Sequence, residues 1–392
     1  MLESIVPVHL LSDFESGNGC RFEQVGEVVK FEIEPDTEST DRQWFYFRVQ
    51  EAKGRPLRFE LQNTDQTNIA LHWDTARPVF SSDGGQSWWR VAGSVGHDRE
   101  RNVFFFEHTP ASDDEHLAFH HPYTLTMMNE RMAEWEKHPA VSRRTIGRSV
   151  EGRPIELLTV STSTLPEKER LGIWVTSRQH AAETCASFFL DGFMEWVLSE
   201  DEAAKSLLSR ASIHVAPMLN PDGVVAGNYR DNARGVNLNR MWKTPDEETS
   251  PEILAITTAV REWVGAGNRY DLYIDLHGDS EAHAHYAFHA SDTVRPPKYP
   301  QPELYGEHSR RLLSMIARRN ADFTPDEGEV DNDDPSLSRQ YMTFEYGVLA
   351  VLFEGSYTYV GYGPNKGVYL TPDRHAEVGR SAAEAVAEYF GG

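Results

Sequence analysis

The 392-residue sequence has only two cysteines, Cys20 and Cys185. Two thiols cannot build a disulfide framework, so the expected home is a reducing compartment, the cytoplasm. No run of about 18 apolar residues occurs, which leaves no candidate membrane-spanning helix. The segment MLESIVPVHLLSDFESGNGC has no basic start and soon turns acidic, which argues against a secretory signal. Positive charge is scarce too. There are 38 Lys+Arg against 61 Asp+Glu, a formal net charge of -23, and the basic residues are mostly Arg. Nucleic acid and anionic membrane both reward Lys and Arg, so neither is expected as a partner. Hydrophobic residues at 39% and charged residues at 25% are ordinary globular usage, which excludes a disordered chain or a fibre.

At about 100–200 residues per domain, the length suits two domains. The first stretch reads as strands. The runs 44–49 (WFYFRV), 56–63 (PLRFELQN) and 102–108 (NVFFFEH) are aromatic or β-branched and partly alternating, and Asp83-Gly84-Gly85 marks a turn. Residues 1–120 are therefore expected to form an antiparallel β-sandwich, with no clustered chemistry. Residues 121–392 differ. A helix is expected over 128–138, then short apolar strands alternate with helices: 171–177, 183–198, 212–218, 251–264, 272–277, 303–319, 349–354 and 374–390. That alternation predicts an α/β domain with a buried, largely parallel sheet. The acidic stretch 322–334 reads as a long polar surface loop, one that could cover a site.

Four of these strands run directly into reactive residue types. Arg178-Gln179-His180-Ala181-Ala182-Glu183 follows the first, Asn220-Pro221-Asp222-Gly223 the second, His277-Gly278 the third and Glu354-Gly355 the fourth. Ligands of open α/β sheets bind beyond the carboxyl ends of the strands, so these residues should converge. His180 and Glu183 are three apart at the start of an expected helix, which places both side chains on one face. With His277 they make two imidazoles and one carboxylate, the donor set of a catalytic zinc site. Alone, an HxxE pair is more often a chance surface feature. Glu354 ends an apolar strand, and a partly desolvated carboxylate near a metal can act as a general base; an ordinary strand-end pair with Arg is the bland alternative. Arg230, Asn239 and Arg240 lie in polar loops, where a guanidinium fork suits a carboxylate and a solvated surface charge is the competing reading. His283, His285 and His289 read as pocket wall or structural residues. Cys185 reads as a small buried apolar residue.

Taken in order, HAAE (180–183), NPDG (220–223), NYR (228–230), GVNLNR (235–240), DLHG (275–278) and FEG (353–355) resemble the zinc metallocarboxypeptidases. The phrases IGRSVEGRPIELL (146–158), RQWFYFRV (42–49) and HPYTLT (121–126) are similar to the cytosolic, deglutamylase-like branch in its bacterial form. The resemblance implies a mixed, mostly parallel eight-stranded sheet flanked by helices, preceded by an all-β domain. It implies one zinc per chain held by His180, Glu183 and His277. Glu354 would be general base and acid. Arg230 would polarise the scissile carbonyl and stabilise the oxyanion. Asn239 and Arg240 would hold the terminal carboxylate of a peptide or protein substrate.

Two departures stand out: Ala181-Ala182 replaces the branch's usual Pro-Gly, and no Tyr lies between Tyr305 and Tyr341 to match the mobile Tyr of digestive relatives. Arg339 resembles an Arg of the deglutamylating branch and implies a pocket for a C-terminal Glu or Asp. A salt bridge of Arg339 to Asp331, Asp333 or Asp334 is the competing reading. Two other functions remain open at this level. One is a zinc amidase or deacylase on the same scaffold, acting on acylated amino acids or cell-wall peptides. The other is a catalytically dead binding module, which the intact metal set and Glu354 disfavour.

Overall fold

The structure is a computed structural model that describes residues 7–279, 282–331, 333–361 and 363–391. Among them the N-terminal part contributes β1 (His9–Leu11), β2 (Cys20–Val25), β3 (Val28–Glu32), β4 (Tyr46–Gln50), β5 (Leu57–Leu61), β6 (Val79–Ser81), β7 (Trp89–Arg90), β8 (Val95–Asp98), β9 (Val103–His108) and β10 (Asp114–Ala118). Alternation of buried and half-buried residues along β3 gives that strand an inner face. The strands form two five-stranded sheets, β1-β4-β10-β6-β7 and β2-β3-β5-β9-β8. Pairing is antiparallel except between β3 and β5. The inner faces share one aromatic core, with the Phe47 and Phe59 rings 6.0 Å apart across the sandwich.

The rest of the chain adds α1 (Leu125–Trp135), β11 (Val141–Arg148), β12 (Pro154–Val160), β13 (Leu171–Ser177), α2 (Cys185–Val197), α3 (Glu202–Leu208), β14 (Ala211–Ala216), α4 (Pro221–Ala226) and α5 (Pro251–Gly265). It continues through β15 (Leu272–Asp279), β16 (Tyr286–Ala290), α6 (Tyr305–Ala317), β17 (Glu329–Val330), α7 (Ser338–Tyr346), β18 (Leu349–Ser356) and α8 (Pro372–Gly391). The first helix begins three residues earlier than the sequence pattern suggests, because the Thr124 hydroxyl caps it by accepting the Met127 amide at 3.2 Å. One eight-stranded sheet results, in the order β11-β12-β14-β13-β15-β18-β16-β17. Its centre, β14-β13-β15-β18, is parallel, and β11, β12 and β16 add antiparallel pairs. β13, β14 and β15 are buried almost throughout, as strands covered on both faces must be. Helices α2, α3, α6 and α8 pack on one face and α5 and α7 on the other. No helix among the described residues is long and apolar enough to cross a membrane.

The acidic stretch is only partly a free loop. Asp322 is buried and pairs with Arg374 at 2.6 Å, and β17 adds to the sheet edge beside β16. Within the histidine run, His285 is buried and its Nδ1 accepts the Ser356 amide at 3.2 Å, His289 is buried, and His283 stacks on Tyr359.

Helix α2 follows the candidate ligand turn directly, so its seat matters. It crosses α8 at two glycines. A Cβ on Gly192 would lie 1.7 Å from the Ala376 carbonyl oxygen, and one on Gly379 would lie 1.8 Å from that of Phe189. Gly to Ala inside a helix ordinarily stabilises by about 1 kcal/mol. Here the added methyl meets backbone that cannot rotate away, and overpacking of this kind costs about 1–3 kcal/mol. Gly192→Ala is therefore expected to lower stability in urea denaturation, against the helix-propensity trend.

Candidate active site

The candidate residues meet at the carboxyl ends of β13, β14, β15 and β18, where an α/β sheet opens toward solvent. His277 and Glu354 stand side by side, because β15 and β18 are parallel and pair these two positions in register. Tyr286 of β16 pairs with Glu354 from the other side. Both motif glycines have a packing reason. A Cβ on Gly278 or Gly355 would come within 2.5 or 2.6 Å of the Cys185 sulfur at the start of α2. Their absence of side chains lets α2 and the turn before it press onto the strand ends. Cys185 itself is buried there with its thiol toward the His277 and Gly355 carbonyls.

His180 and Glu183 are not on the helix, as the spacing suggested, but in the turn that precedes it; α2 begins at Cys185. The turn is held from outside the helix. Arg178 sits at a left-handed φ of 57°, and its buried guanidinium donates to the Tyr123 carbonyl at 3.0 Å, the Ser187 hydroxyl at 2.9 Å and the Ala181 carbonyl. The Ala182 amide donates to the Tyr229 carbonyl at 2.9 Å. Turn geometry, not helical periodicity, brings His180 Nδ1 within 2.6 Å of Glu183 Oε1.

Three ligand-type groups converge. His277 Nδ1 lies 2.8 Å from Glu183 Oε2 and 3.2 Å from His180 Nδ1. Their donor atoms all lie within 4.8 Å of one another, a grouping not repeated among the described residues. The outer ring nitrogens have acceptors of their own: His277 Nε2 faces Asp275 Oδ2 at 3.1 Å and His180 Nε2 faces Asn237 Oδ1 at 3.0 Å. With Nε2–H directed outward, both Nδ1 lone pairs point into the cluster, as in metal-ligating histidines. Burial would raise the Glu183 carboxyl, but the two imidazoles hold it below the usual range. Burial would lower His277, yet Asp275 and Glu183 pull it well above its ordinary value. Burial, with Arg230 nearby, pushes His180 down to about 4. The cluster thus attracts positive charge while keeping one imidazole free. A divalent cation fits that demand and would displace the proton from His277.

Asp275 is the residue that motif reading underused. It is fully buried and also accepts Thr176 Oγ1 at 2.7 Å, the Gln179 amide at 2.5 Å and the Ser338 hydroxyl. Burial works to raise its carboxyl, but His277 and these donors keep it low and ionised. Its signal in the sequence was the period-2 spacing Asp275-x-His277 on one strand face.

His180, Glu183 and Glu354 line a cavity of about 360 Å³, together with Arg230, Asn239, Arg240 and Arg339. His277 stands behind Glu183, nearly inaccessible. Burial and the Glu183 charge drive the Glu354 carboxyl well above the ordinary value, and its Oε2 is buried without a hydrogen-bond partner. Asn239 is fixed by accepting the Ser338 amide at 2.9 Å, while Arg240 is exposed at the rim and donates to the Asn239 carbonyl at 2.7 Å. Arg339 is buried with Nη2 unpartnered. Among the described residues no carboxylate pairs with it, so the alternative salt bridge to Asp331, Asp333 or Asp334 does not form. Ile69, from the sandwich, also lines the cavity, as does Val330 of the acidic stretch.

Residues 128–360 match the zinc carboxypeptidase family model, more than half of the chain, and the protein belongs to that family. Residues 10–120 match the cytosolic carboxypeptidase N-terminal domain. Cytosolic carboxypeptidase 6 of Caenorhabditis elegans is 31% identical over 288 residues, covering 69% of this chain and 62% of that protein. The metallo-carboxypeptidase of Burkholderia cenocepacia superposes with a TM-score of 0.88 at 27% identity, over 98% of this chain and 99% of that one. The metallo-carboxypeptidase of Pseudomonas aeruginosa, in complex with (2-guanidinoethylmercapto)succinic acid, gives a TM-score of 0.87 at 27% identity, over 98% of this chain and 99% of that one.

Partners that orient a metal-binding histidine usually matter about 10–100-fold in metal affinity. Asp275→Asn keeps shape but can present an NH₂ group to His277. Its zinc affinity, measured by chelator competition, is expected to fall within that range; an unchanged affinity would remove Asp275 from the site's support.

Proposed function

We propose that the protein is a cytoplasmic zinc carboxypeptidase that removes the last residue of a peptide or protein and prefers C-terminal Glu or Asp. The observation that carries this reading is the His180–Glu183–His277 cluster with Glu354 in register beside it, in a cavity lined by three arginines. We take residues 1–120 and 121–392 as its two domains. The cytoplasmic assignment rests on the two unpaired cysteines and on the names of the cytosolic relatives.

One zinc ion per chain, held by His180, Glu183 and His277, would act as a Lewis acid and lower the pKa of water toward about 7. Glu354 takes the proton of the attacking water and returns it to the leaving amine. Its lack of a competing hydrogen bond leaves Oε2 free for that proton. Arg230 draws off negative charge developing on the scissile carbonyl oxygen, in a site where a preorganised donor is worth more than in water. Asn239 and Arg240 hold the substrate's terminal carboxylate, which restricts cleavage to the chain end.

Arg339 supports the acidic preference. A buried guanidinium lacking an anion costs several kcal/mol, and a Glu or Asp side chain of the substrate supplies one. The ligand of the P. aeruginosa relative carries both a dicarboxylate and a guanidine, so a basic terminal residue belongs in any specificity panel. An amidase or deacylase on this scaffold would act on acylated amino acids or cell-wall peptides, and comparing these as substrates with ordinary peptides separates the two.

The test of the chemistry is paired. Elemental analysis of wild type is expected to give about one zinc per chain, and His180→Ala to lose it. Glu354→Gln is expected to keep the zinc while kcat falls by about 10²–10⁴; near-normal turnover would transfer the base role to another group. The specificity test compares kcat/KM for peptides ending in Glu, Leu and Lys. Arg339→Leu is expected to cost about 2–5 kcal/mol for the Glu peptide alone, and a wild-type preference for Leu or Lys would overturn the acidic reading.

A further inference from the structure

Among its described residues the β-sandwich shows no cluster like that of the active site, yet it reaches that site through the loop after α4. That loop carries Arg230. It starts at Gly227, a left-handed residue with φ of 74° that caps α4, and a Cβ there would lie 2.3 Å from the carbonyl oxygen of Gly17 in the sandwich. From the same side, the segment between β3 and β4 docks on the loop. Thr37 donates through both its amide and its hydroxyl to Asn228 Oδ1 at 3.1 Å, and the Ser39 hydroxyl donates to Asp231 Oδ2 at 2.6 Å.

At the centre of this contact is Asp36, 2% exposed. Its carboxylate accepts three consecutive backbone amides: Tyr229 at 2.6 Å, Arg230 at 2.7 Å and Asp231 at 2.8 Å. Three successive N–H groups turned toward one carboxyl form a concave nest; burial pushes the Asp36 carboxyl up to about 7, and the three amides oppose that rise by favouring the charged form. The opposite edge of the loop is held by the catalytic domain. Asn220 donates to the carbonyls of Arg230 at 3.3 Å and Asp231 at 3.1 Å. The Tyr229 carbonyl accepts the Ala182 amide, between His180 and Glu183. The Arg230 backbone is therefore clamped between the two domains, and its own guanidinium is in no ion pair among the described residues. No hydrogen bond or ion pair of its side chain is made among the described residues; Glu183 and Glu354 attract the guanidinium from a distance, and the backbone clamp sets where the side chain starts.

We infer that Asp36 is a positioning residue for Arg230, so that the N-terminal sandwich completes the active site from outside the catalytic domain. This rests on the proposed role of Arg230 at the scissile carbonyl. Losing the nest would let the loop drift while Asn220 still held its other edge. A misplacement of about 1 Å in a group acting on the transition state can cost about 10²-fold in rate. The loss would appear in kcat with little change in KM, because the interaction is made in the transition state.

The experiment uses the full chain and peptide substrate, with Asp36→Asn, Asp36→Ala, Arg230→Ala, the double variant Asp36→Asn/Arg230→Ala, and Ser16→Ala. Ser16 donates to the Val224 carbonyl at 2.8 Å, so its loss weakens the same interface without touching residues 229–231. Asp36→Asn retains one acceptor oxygen in an equal volume and carries the test if Asp36→Ala does not fold. The expected result is wild-type zinc content throughout and wild-type kcat in Ser16→Ala. In the Asp36 variants kcat falls by up to about 10²-fold, less in Asn than in Ala. Asp36→Asn costs nothing further once Arg230 is Ala. Wild-type kcat in Asp36→Asn and Asp36→Ala, an equal loss in Ser16→Ala, or an equal additional loss in the Arg230→Ala background would each overturn the inference. If Arg230→Ala alone keeps full kcat, the role of Arg230 fails first and the inference falls with it, a result distinct from the other three.

Discussion

Two imidazole nitrogens 3.2 Å apart, with a carboxylate against both, demand a positive charge between them. Much of the surrounding structure serves that demand. Asp275 and Asn237 take the outward N–H groups, and Gln179 and Ser338 in turn hold Asp275. The glycines after His277 and Glu354 exist because a methyl at either place would strike Cys185. That close approach brings the turn carrying His180 and Glu183 down onto the strand that carries His277. Burying a carboxylate and two histidines this deeply would be costly without compensation. The compensation is local: the Gly278 amide donates to Glu183 Oε2 at 3.0 Å, and a bound cation would supply the rest.

The architecture was readable because its strands announce themselves. Short, near-continuous apolar runs such as 171–177 and 272–277, alternating with helical patterns, read as covered strands, and each ends in the residues that matter. The order of the short motifs carried the site. What the pattern obscured was local geometry. The three-residue spacing of His180 and Glu183 fits a helix, but the chain makes a turn there, because the Arg178 guanidinium takes the Ala181 carbonyl and the Tyr229 carbonyl takes the Ala182 amide. Asp36 left no signal at all. It is one acidic residue among 61, and its partners are backbone amides almost 200 residues away, which have no side-chain identity to recognise. Long-range contacts to main chain are invisible to residue patterning for that reason.

The sandwich was expected to lack chemistry, and side chain by side chain that is nearly so. Its core nevertheless runs without a break into the catalytic domain: Ala182, Cys185, Tyr229 and Tyr357 belong to the same buried cluster as Phe45, Trp73 and Phe119. The Ala181-Ala182 pair, which replaces the branch's more usual Pro-Gly, lies in this seam, and both residues are buried. Arg90 adds a second strap, donating to the Tyr357 and Leu370 carbonyls at 2.7 and 3.1 Å. A seam that is apolar, continuous and stitched by buried polar groups resembles a domain interior more than a transient contact, so independent motion of the two parts is disfavoured.

Charge presents the remaining tension. A chain of net charge -23 should repel an acidic substrate, yet the proposed function asks the arginine-lined cavity to accept one. The two statements act at different distances. At physiological ionic strength the Debye length is about 8 Å, so the diffuse negative surface is screened before a substrate reaches the cleft. Inside, Arg230 and the buried Arg339 line the cavity where the dielectric is low and charges interact more strongly, while Arg240 stands exposed at its rim. Arg339 is the deepest of the three by exposure and has no carboxylate of its own among the described residues. The two imidazoles against Glu183 offset its charge. The cavity's local balance is therefore more positive than the protein's total implies. On the proposed reading, a negative exterior around a cleft lined by arginines leaves selectivity for the chain end to the cleft rather than to the surface.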